Sequence, residues 1–143
     1  MEYDRMLAEL FQEEDRAREM AHKLIGLAEQ SREAATIERE SLLAFLRGPM
    51  ERHFCYEESA IFPHLEDHGL GEEVQVACKQ HAAIRDAARA LAEAPQEEDV
   101  AHVIVHVAKL MLHHTNFEGD YIYPELTHEE WRELMKATVR QGA

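Results

Sequence analysis

The sequence contains little that would direct a chain to nucleic acid, to a membrane or to secretion. Its net charge is −14 with histidine neutral, and so acidic a surface repels phosphate backbones and anionic membranes. The opening residues, MEYDRMLAEL, have no basic segment followed by an apolar run, so no secretory signal is visible. No apolar stretch approaches the roughly 20 residues of a membrane span. We therefore expect no nucleic-acid partner, no membrane partner and a cytoplasmic location.

Cysteine, glycine and proline are also scarce, with 2, 6 and 4 residues among 143. Cys55 and Cys78 show neither CxxC nor zinc-site spacing, so we expect two free thiols in a reducing compartment. Cys78 is expected to be a small buried core residue. Few residues are β-branched, whereas Ala, Glu, Leu and Arg are abundant, which favours helix. The length predicts a single domain over residues 1–143, large enough to bury a core without disulfides.

Apolar residues recur at helical spacing in four long segments. The predicted helices span about residues 4–29, 32–62, 72–94 and 97–122. The apolar face of the first helix places Glu14 inward, and Gly48-Pro49 predicts a kink in the second, which should end in a loop over 64–71. Thr127 begins a possible capping box for a fifth, short helix. The pattern predicts an all-α, up-down-up-down four-helix bundle with a short C-terminal helix.

Histidine is the residue type in clear excess, with 10 among 143 residues. Two segments share one pattern, HFCYEESAIFPHL from His53 and HTNFEGDYIYPEL from His114. Each has a glutamate four residues after the histidine, Glu57 and Glu118, and later an aromatic residue followed by proline. Residues four apart lie about 5–6 Å from each other on one helix face, so an imidazole and a carboxylate can bind one ion. Two such helices facing each other could bind one ion or bridge two.

The charge of these side chains also favours a metal. Burying two or three carboxylates costs several kcal/mol each unless they are protonated or paired, and the predicted core faces contain no Arg or Lys. A single His-x-x-x-Glu could equally be a hydrogen-bonded core pair, but two copies, with His81 facing inward on a third helix, favour a dication. Imidazoles and carboxylates without thiolates suit iron or manganese better than structural zinc.

Three motifs, HFCYEESAIFPHL, CKQHAAIRDAARAL and HHTNFEGDYIYPEL, resemble those of the hemerythrin-like, or HHE cation-binding, family. The resemblance extends from Leu7 to Leu126. It implies a four-helix bundle with a non-haem di-iron centre, with manganese or zinc as other possible metals. It implies dioxygen, peroxide or nitric oxide as small ligands, in oxygen binding, in sensing of iron or oxygen, or in handling of peroxide or nitric oxide. The resemblance does not choose among these roles or establish an enzyme.

Two departures from the family pattern affect the expected ligands. The family usually has a ligand histidine directly after Leu-x-x-Glu on the first helix, and here Leu10-Phe-Gln-Glu13 is followed by Glu14. We predict Glu14 as a carboxylate ligand, the alternative being a vacant position with Glu14 hydrogen-bonded or turned outward. Oxygen-carrying members have two histidines four apart on the third helix, whereas Ala77 here leaves His81 alone. The more carboxylate-rich set favours irreversible oxidation or sensing over oxygen carriage.

The resulting prediction is a set of six metal ligands, with Glu57 and Glu118 as bridges. The ligands are Glu14, His53, Glu57, His81, His114 and Glu118. The residues predicted to line the pocket or to support the ligands are Tyr121, Glu58, Phe54 and Phe117. The aromatic-proline register favours His114 over His113, and His64, His68 and His128 are placed in loops or at a cap. Two other functions stay open: a metal-binding or iron-sensing module without turnover, for which a single ion would suffice, and a metal-free helical interaction domain.

Overall fold

The computed structural model describes residues 2–95 and 98–140. Within these residues the chain forms helices joined by short connections and contains no β-strand. The α-helices are α1 Glu2–Gln30, α2 Arg32–Ile37, α3 Arg39–Arg47, α4 Pro49–Tyr56, α5 Phe62–Asp67, α6 Gly71–Glu93, α7 Ala101–Tyr121 and α8 His128–Arg140. A π-helical turn, Glu57–Ile61, joins α4 to α5, and a 3₁₀ turn, Tyr123–Glu125, follows α7.

The predicted all-α bundle is confirmed, with α1, the run from α2 to α5, α6 and α7 as its four long elements. α1 packs mainly against α7, and α6 packs against α7, α3 and α5. Two contacts show that α1 and α7 run in opposite directions. Arg18, in the middle of α1, reaches Asn116 late in α7, whereas Arg32, just after the end of α1, reaches Asp99, just before the start of α7. α8 packs against α1. Among the described residues, no helix is both long and apolar enough to span a membrane.

The second long element is more broken than predicted. The predicted break at Gly48 is confirmed, and Pro49 occupies the first turn of α4, where its missing N–H costs no helical bond. A further break at Glu38 was not predicted. The residue after it, Arg39, is buried, and its guanidinium donates hydrogen bonds to backbone carbonyls at the end of α6, including that of Leu91 at 2.8 Å. The prediction that the core faces contain no Arg was therefore wrong at Arg39, whose partners are the backbone carbonyls at the end of α6.

The predicted loop over 64–71 was wrong, because the helix continues past Pro63 to Asp67. The N–H of Phe62 bonds to the carbonyl of Glu57, five residues back, which defines the π turn. This wider turn gives room to the ring of Pro63, which would clash with the carbonyl four residues earlier in a regular α-helix. The connection from α5 to α6 is consequently short. Within it, Gly69 has a φ of 87°, the one positive φ among the described residues.

Side chains accept hydrogen bonds from the backbone where the last two helices begin. α7 begins at Ala101 and not near 97, and the carboxylate of Asp99, two residues earlier, accepts a hydrogen bond from the Ala101 N–H at 2.9 Å; residues 96–97 lie outside the described chain. The predicted short helix is confirmed as α8. Thr127 and Glu130 exchange the two 3.1 Å hydrogen bonds of a capping box at its start.

The core consists of two apolar clusters with polar side chains between them. On α1, Leu10 belongs to one cluster and Ala17 to the other, and the buried Glu14 lies between them. On α6, Ala77 and Ile84 flank His81 in the same way. The six residues predicted as ligands thus occupy one level of the bundle, which we call the polar layer: Glu14, His53, Glu57, His81, His114 and Glu118.

Candidate metal centre

The side chains of the polar layer converge although they come from four parts of the chain. No residue of the layer is more than 5% exposed. Two sets of four ligand-type atoms lie within 4.8 Å of one another. One set comprises Glu57, His81, His114 and Glu118, and the other comprises Glu14, His53, Glu57 and Glu118. Glu57 and Glu118 belong to both sets, so the two sets share two carboxylates.

Two imidazoles of the layer are oriented by oxygen atoms outside it. His81 Nδ1 lies 2.7 Å from Glu58 Oε2, and His114 Nδ1 lies 2.7 Å from Gln80 Oε1. Because both partners only accept hydrogen bonds here, each Nδ1 carries the proton and each Nε2 keeps its lone pair. These Nε2 atoms belong to the layer, beside Glu57 and Glu118. Hydrogen bonds of this kind orient imidazoles that bind metals.

Several atoms within the layer have no hydrogen-bond partner among the described residues. They are Glu14 Oε2, Glu57 Oε1, His81 Nε2, His114 Nε2 and both carboxylate oxygens of Glu118. His114 Nε2 and Glu118 Oε1 are 2.9 Å apart but are not aligned as a hydrogen bond. A buried polar atom without a partner costs about 1–3 kcal/mol. Nitrogen and oxygen lone pairs that meet in a buried layer are what a divalent metal ion would satisfy, so the residues fit a metal.

The electrostatics of the layer point the same way. Burial and the negative charges of Glu57 and Glu14 raise the pKa of Glu118 well above its ordinary value. Burial lowers the pKa of His114 to about 4, so its imidazole is neutral at pH 7 and can act as a ligand. A dication beside Glu118 would favour its ionised form and offset the repulsion from Glu57 and Glu14.

The buried tyrosine at this site is Tyr123 and not Tyr121. The Tyr121 side chain is 56% exposed and its ring packs on Phe117, so the prediction that Tyr121 faces inward was wrong. α7 ends at Tyr121, and the 3₁₀ turn around Pro124 directs Tyr123 into the bundle instead. The Tyr123 hydroxyl lies 2.8 Å from Glu57 Oε2 and 3.0 Å from Glu14 Oε1.

His53 lies where the tyrosine and α1 meet. Its Nε2 is 2.8 Å from Glu14 Oε1 and 3.0 Å from the Tyr123 hydroxyl, and its Nδ1 is 3.1 Å from Glu13 Oε1. Burial alone would lower its pKa, but the charge of Glu57 and the hydrogen bonds to Glu13 and Glu14 raise the pKa of His53 well above its ordinary value. His53 and Glu14 therefore satisfy each other in part.

Aromatic rings close the His81 side of the layer. The Phe54 ring stacks on the His81 imidazole with 3.9 Å between centroids and meets His114 edge-on at 5.4 Å. Phe117 is half-buried and packs against the cluster that contains Leu10. Phe54 therefore contacts two imidazoles of the layer.

An ion-pair network on the surface supports His81 from outside. Arg85 Nη1 lies 2.8 Å from Glu58 Oε2, the oxygen that also accepts from His81, and Arg85 Nη2 lies 2.9 Å from Glu51 Oε2. The hydrogen bonds from Arg85 lower the pKa of Glu51 against a smaller effect of burial. Glu58 thus connects the layer to Arg85, a residue that sequence patterns did not single out.

The remaining cysteines and histidines lie outside the layer. Cys55 and Cys78 are both free, as expected, but Cys78 is exposed, so its prediction as a core residue was wrong. His113 is exposed while His114 is buried. His64 belongs to α5, and the loop predicted for it does not exist.

Comparison with known proteins connects this geometry to a family. The family model described as hemerythrin HHE cation binding domain matches residues 5–126, a range that contains the entire polar layer. The chain belongs to the hemerythrin HHE cation-binding family. No curated protein and no solved structure shows a significant match. Family membership and the two ligand sets together identify this hemerythrin HHE protein as a metal-binding protein.

Proposed function

We propose that this hemerythrin HHE protein holds two iron ions in the polar layer and reacts with, or senses, dioxygen or peroxide. The observation that carries the proposal is that Glu57 and Glu118 belong to both ligand sets. A carboxylate can bind one ion with each oxygen, and both oxygens of Glu118 lack partners among the described residues. The other ligands would be His81 and His114 at one position and Glu14 and His53 at the other. Such a mixture of imidazole and carboxylate suits iron.

The protein side chains determine what iron could do here. Two ferrous ions would supply two electrons, enough to reduce one peroxide with two protons to two waters and leave two ferric ions. The Tyr123 hydroxyl lies at Glu14 and Glu57 and can hold a hydrogen bond to either carboxylate. The Phe54 ring packs against both His81 and His114. Three anionic ligands favour the ferric state, so the set suits irreversible oxidation or sensing better than reversible oxygen carriage.

A second candidate is a metal-binding or iron-sensing module that holds one ion and turns nothing over. The two ligand sets differ in a way that favours it: Glu14 Oε1 and His53 Nε2 lie in hydrogen-bond contact at 2.8 Å. By contrast, Nε2 of His81 and of His114 has no hydrogen-bond partner in the described chain. A first ion would therefore bind with His81 and His114, and a second would first have to displace the Glu14–His53 bond.

A peroxide titration of the anaerobic ferrous protein tests the proposal. We expect one peroxide to oxidise two ferrous ions per chain, and the ferrous spectrum should not return under vacuum after exposure to air. Recovery of that spectrum would contradict irreversible oxidation, and consumption of only half a peroxide per chain, with one ion oxidised per chain, would favour the mononuclear module. Continued consumption of peroxide would identify an enzyme.

Two adjacent histidines provide matched variants for this titration. His114→Ala removes a buried imidazole of the layer, whereas His113→Ala changes its exposed neighbour. We expect His114→Ala to lose the reaction with peroxide and His113→Ala to behave as the unmodified protein. Equal reactivity of the two variants would place the chemistry outside the polar layer.

A further inference from the structure

A separate group of ligand-type side chains lies at the surface where α5 meets α8. His64 on α5, His68 directly after the end of α5 and Glu130 on α8 each place one ligand atom within 4.8 Å of the other two. His64 Nε2 is 2.6 Å from Glu130 Oε2, and the two imidazole rings stack with 4.3 Å between centroids. We propose that these three residues form a second metal site, for a divalent transition ion such as zinc, apart from the polar layer.

The backbone prepares His68 to be a ligand. Its Nδ1 lies 2.7 Å from the carbonyl oxygen of His64, one helical turn earlier. Because a carbonyl only accepts, Nδ1 carries the proton and Nε2 keeps its lone pair, which is the tautomer that binds a metal. His68 directly follows the last residue of α5, and its ring stacks on that of His64, so the two imidazoles lie side by side and can share an ion.

Glu130 is held in position by the start of its own helix. Its Oε1 accepts a hydrogen bond from the Thr127 N–H at 3.1 Å in the capping box, which leaves Oε2 for His64. Two imidazoles and a carboxylate, with a fourth position for water, are a set that zinc accepts. Ligand atoms on tetrahedral zinc stand roughly 3.3 Å apart for bonds of about 2.0–2.1 Å, so the 2.6 Å pair has to open by under about 1 Å.

The position of this site gives an ion a structural consequence. The side chains of His64 and Glu130 are 24% and 31% exposed, so they can move apart and admit an ion from solvent. Such an ion would connect α5 to α8. On α8, Trp131 packs edge-on against Tyr123 with 5.2 Å between ring centroids, and Tyr123 contacts the polar layer. Zinc bound at the surface would therefore hold α8, and with it Trp131, against Tyr123.

The chain contains its own control for a simple histidine pair. His102 and His106 are also four residues apart and exposed, on α7. Among the described residues, no third ligand-type group joins them within the distance that unites His64, His68 and Glu130. If zinc binding needs the carboxylate of Glu130, the His64–His68 pair should bind zinc and the His102–His106 pair should not.

The experiment uses the full chain with its buried metal in place. Zinc is titrated calorimetrically into the unmodified protein, His68→Ala and His102→Ala, and iron content is measured before and after. We expect one added zinc per chain, at least tenfold weaker binding by His68→Ala, and unchanged binding by His102→Ala. His68 is exposed, and its side chain contacts His64, one turn earlier in the chain, so this variant should fold normally.

Amide hydrogen exchange supplies a second measurement that bears on α8. Zinc should slow exchange in α8 of the unmodified protein and leave exchange in His68→Ala unchanged. The site is ruled out if no zinc is added, if zinc displaces iron from the polar layer, or if His68→Ala binds as well as the unmodified protein. Slower exchange in α8 that His102→Ala abolishes would also overturn it.

Discussion

Glu14 is the residue in which this chain departs from its family within the polar layer. It is buried, its Oε1 contacts His53, and its Oε2 has no partner in the described chain. A carboxylate in place of the usual histidine adds negative charge to a layer that already contains Glu57 and Glu118. In the proposed function that charge stabilises ferric iron and makes the second metal position depend on Glu14.

Removing this carboxylate tests that dependence. We predict that Glu14→Ala lowers the iron content from about two ions to about one per chain, because the Glu57, His81, His114 and Glu118 set stays intact. Elemental analysis of the anaerobically purified variant measures this. Glu19→Ala, an exposed change on the same helix, should keep the full content. Two irons in Glu14→Ala would show that Glu14 is no ligand.

The Tyr123 hydroxyl gives a second prediction at a single atom. Tyr123→Phe removes a hydroxyl that contacts two buried carboxylates, and hydrogen bonds to charged groups contribute about 1.5–3 kcal/mol. We expect the metal-free variant to lose stability of that order in urea unfolding. Tyr121→Phe changes an exposed hydroxyl and should stay within about 0.5 kcal/mol of the unmodified protein. Equal losses in the two variants would contradict the structural difference between these tyrosines.

The spacing of residues along single helices was enough to predict the residues of the polar layer. The residues that contact the layer from other helices could not be predicted in this way. The His-x-x-x-Glu repeats and the apolar phase of α1 and α6 were enough to select the six buried positions. Tyr123 was missed because extrapolating the helical period from Glu118 leads to Tyr121, whereas the chain leaves the helix there. Glu13, Gln80 and Arg85 were missed because their partners lie on other helices.

At the scale of the elements, the two copies of the repeat end differently although both have an aromatic-proline pair. After His53, a π turn lets the helix continue through Pro63, and Phe62 is buried beside His81 with 5.5 Å between ring centroids. After His114, the helix ends and Pro124 lies in a 3₁₀ turn. Periodicity predicted the long helices and could not distinguish these two outcomes, which depend on local backbone bonding.

The start of α7 allows a prediction with a defined pH dependence. The hydrogen bond from the Ala101 N–H and then that from Arg32 lower the pKa of Asp99. A carboxyl group with a lowered folded-state pKa adds stability above its unfolded pKa, near 3.9, and loses it as the pH falls through the folded value. Asp99→Ala should therefore lower the melting temperature by a few degrees at pH 7, and the difference should shrink below about pH 4.

Glu98→Ala is the control for this helix start, because Glu98 is the exposed neighbouring acid. Thermal unfolding followed by circular dichroism should show little change for Glu98→Ala at any pH. A difference between Asp99→Ala and the unmodified protein that persists unchanged in acid would mean that the charge of Asp99 does not support α7.

At the scale of the whole molecule, the bundle packs two apolar clusters around a layer of buried histidines and glutamates. Burial of three glutamates in a chain of net charge −14 lowers the stability of the metal-free protein, and bound cations would offset that loss. A metal that binds only the folded state also stabilises it through mass action.

Removal of metal should therefore weaken the whole fold. We predict that an iron chelator lowers the melting temperature by roughly 10 °C or more, since structural ions contribute several kcal/mol and about 1 kcal/mol shifts melting by roughly 4 °C at this size. Differential scanning calorimetry before and after chelation measures the shift. His114→Ala should change far less on chelation, and an unmodified protein that melts at the same temperature with and without chelator would indicate a metal-free bundle.

The most direct test of the central claim is the iron content per chain of anaerobically purified protein, with its optical spectrum before and after air. The proposed di-iron centre predicts about two irons per chain, because Glu57 and Glu118 are shared by two ligand sets. It also predicts a new charge-transfer band of the oxo-bridge type on oxidation. One iron or one zinc per chain, with no such band, would contradict the di-iron centre and leave a mononuclear cation-binding protein.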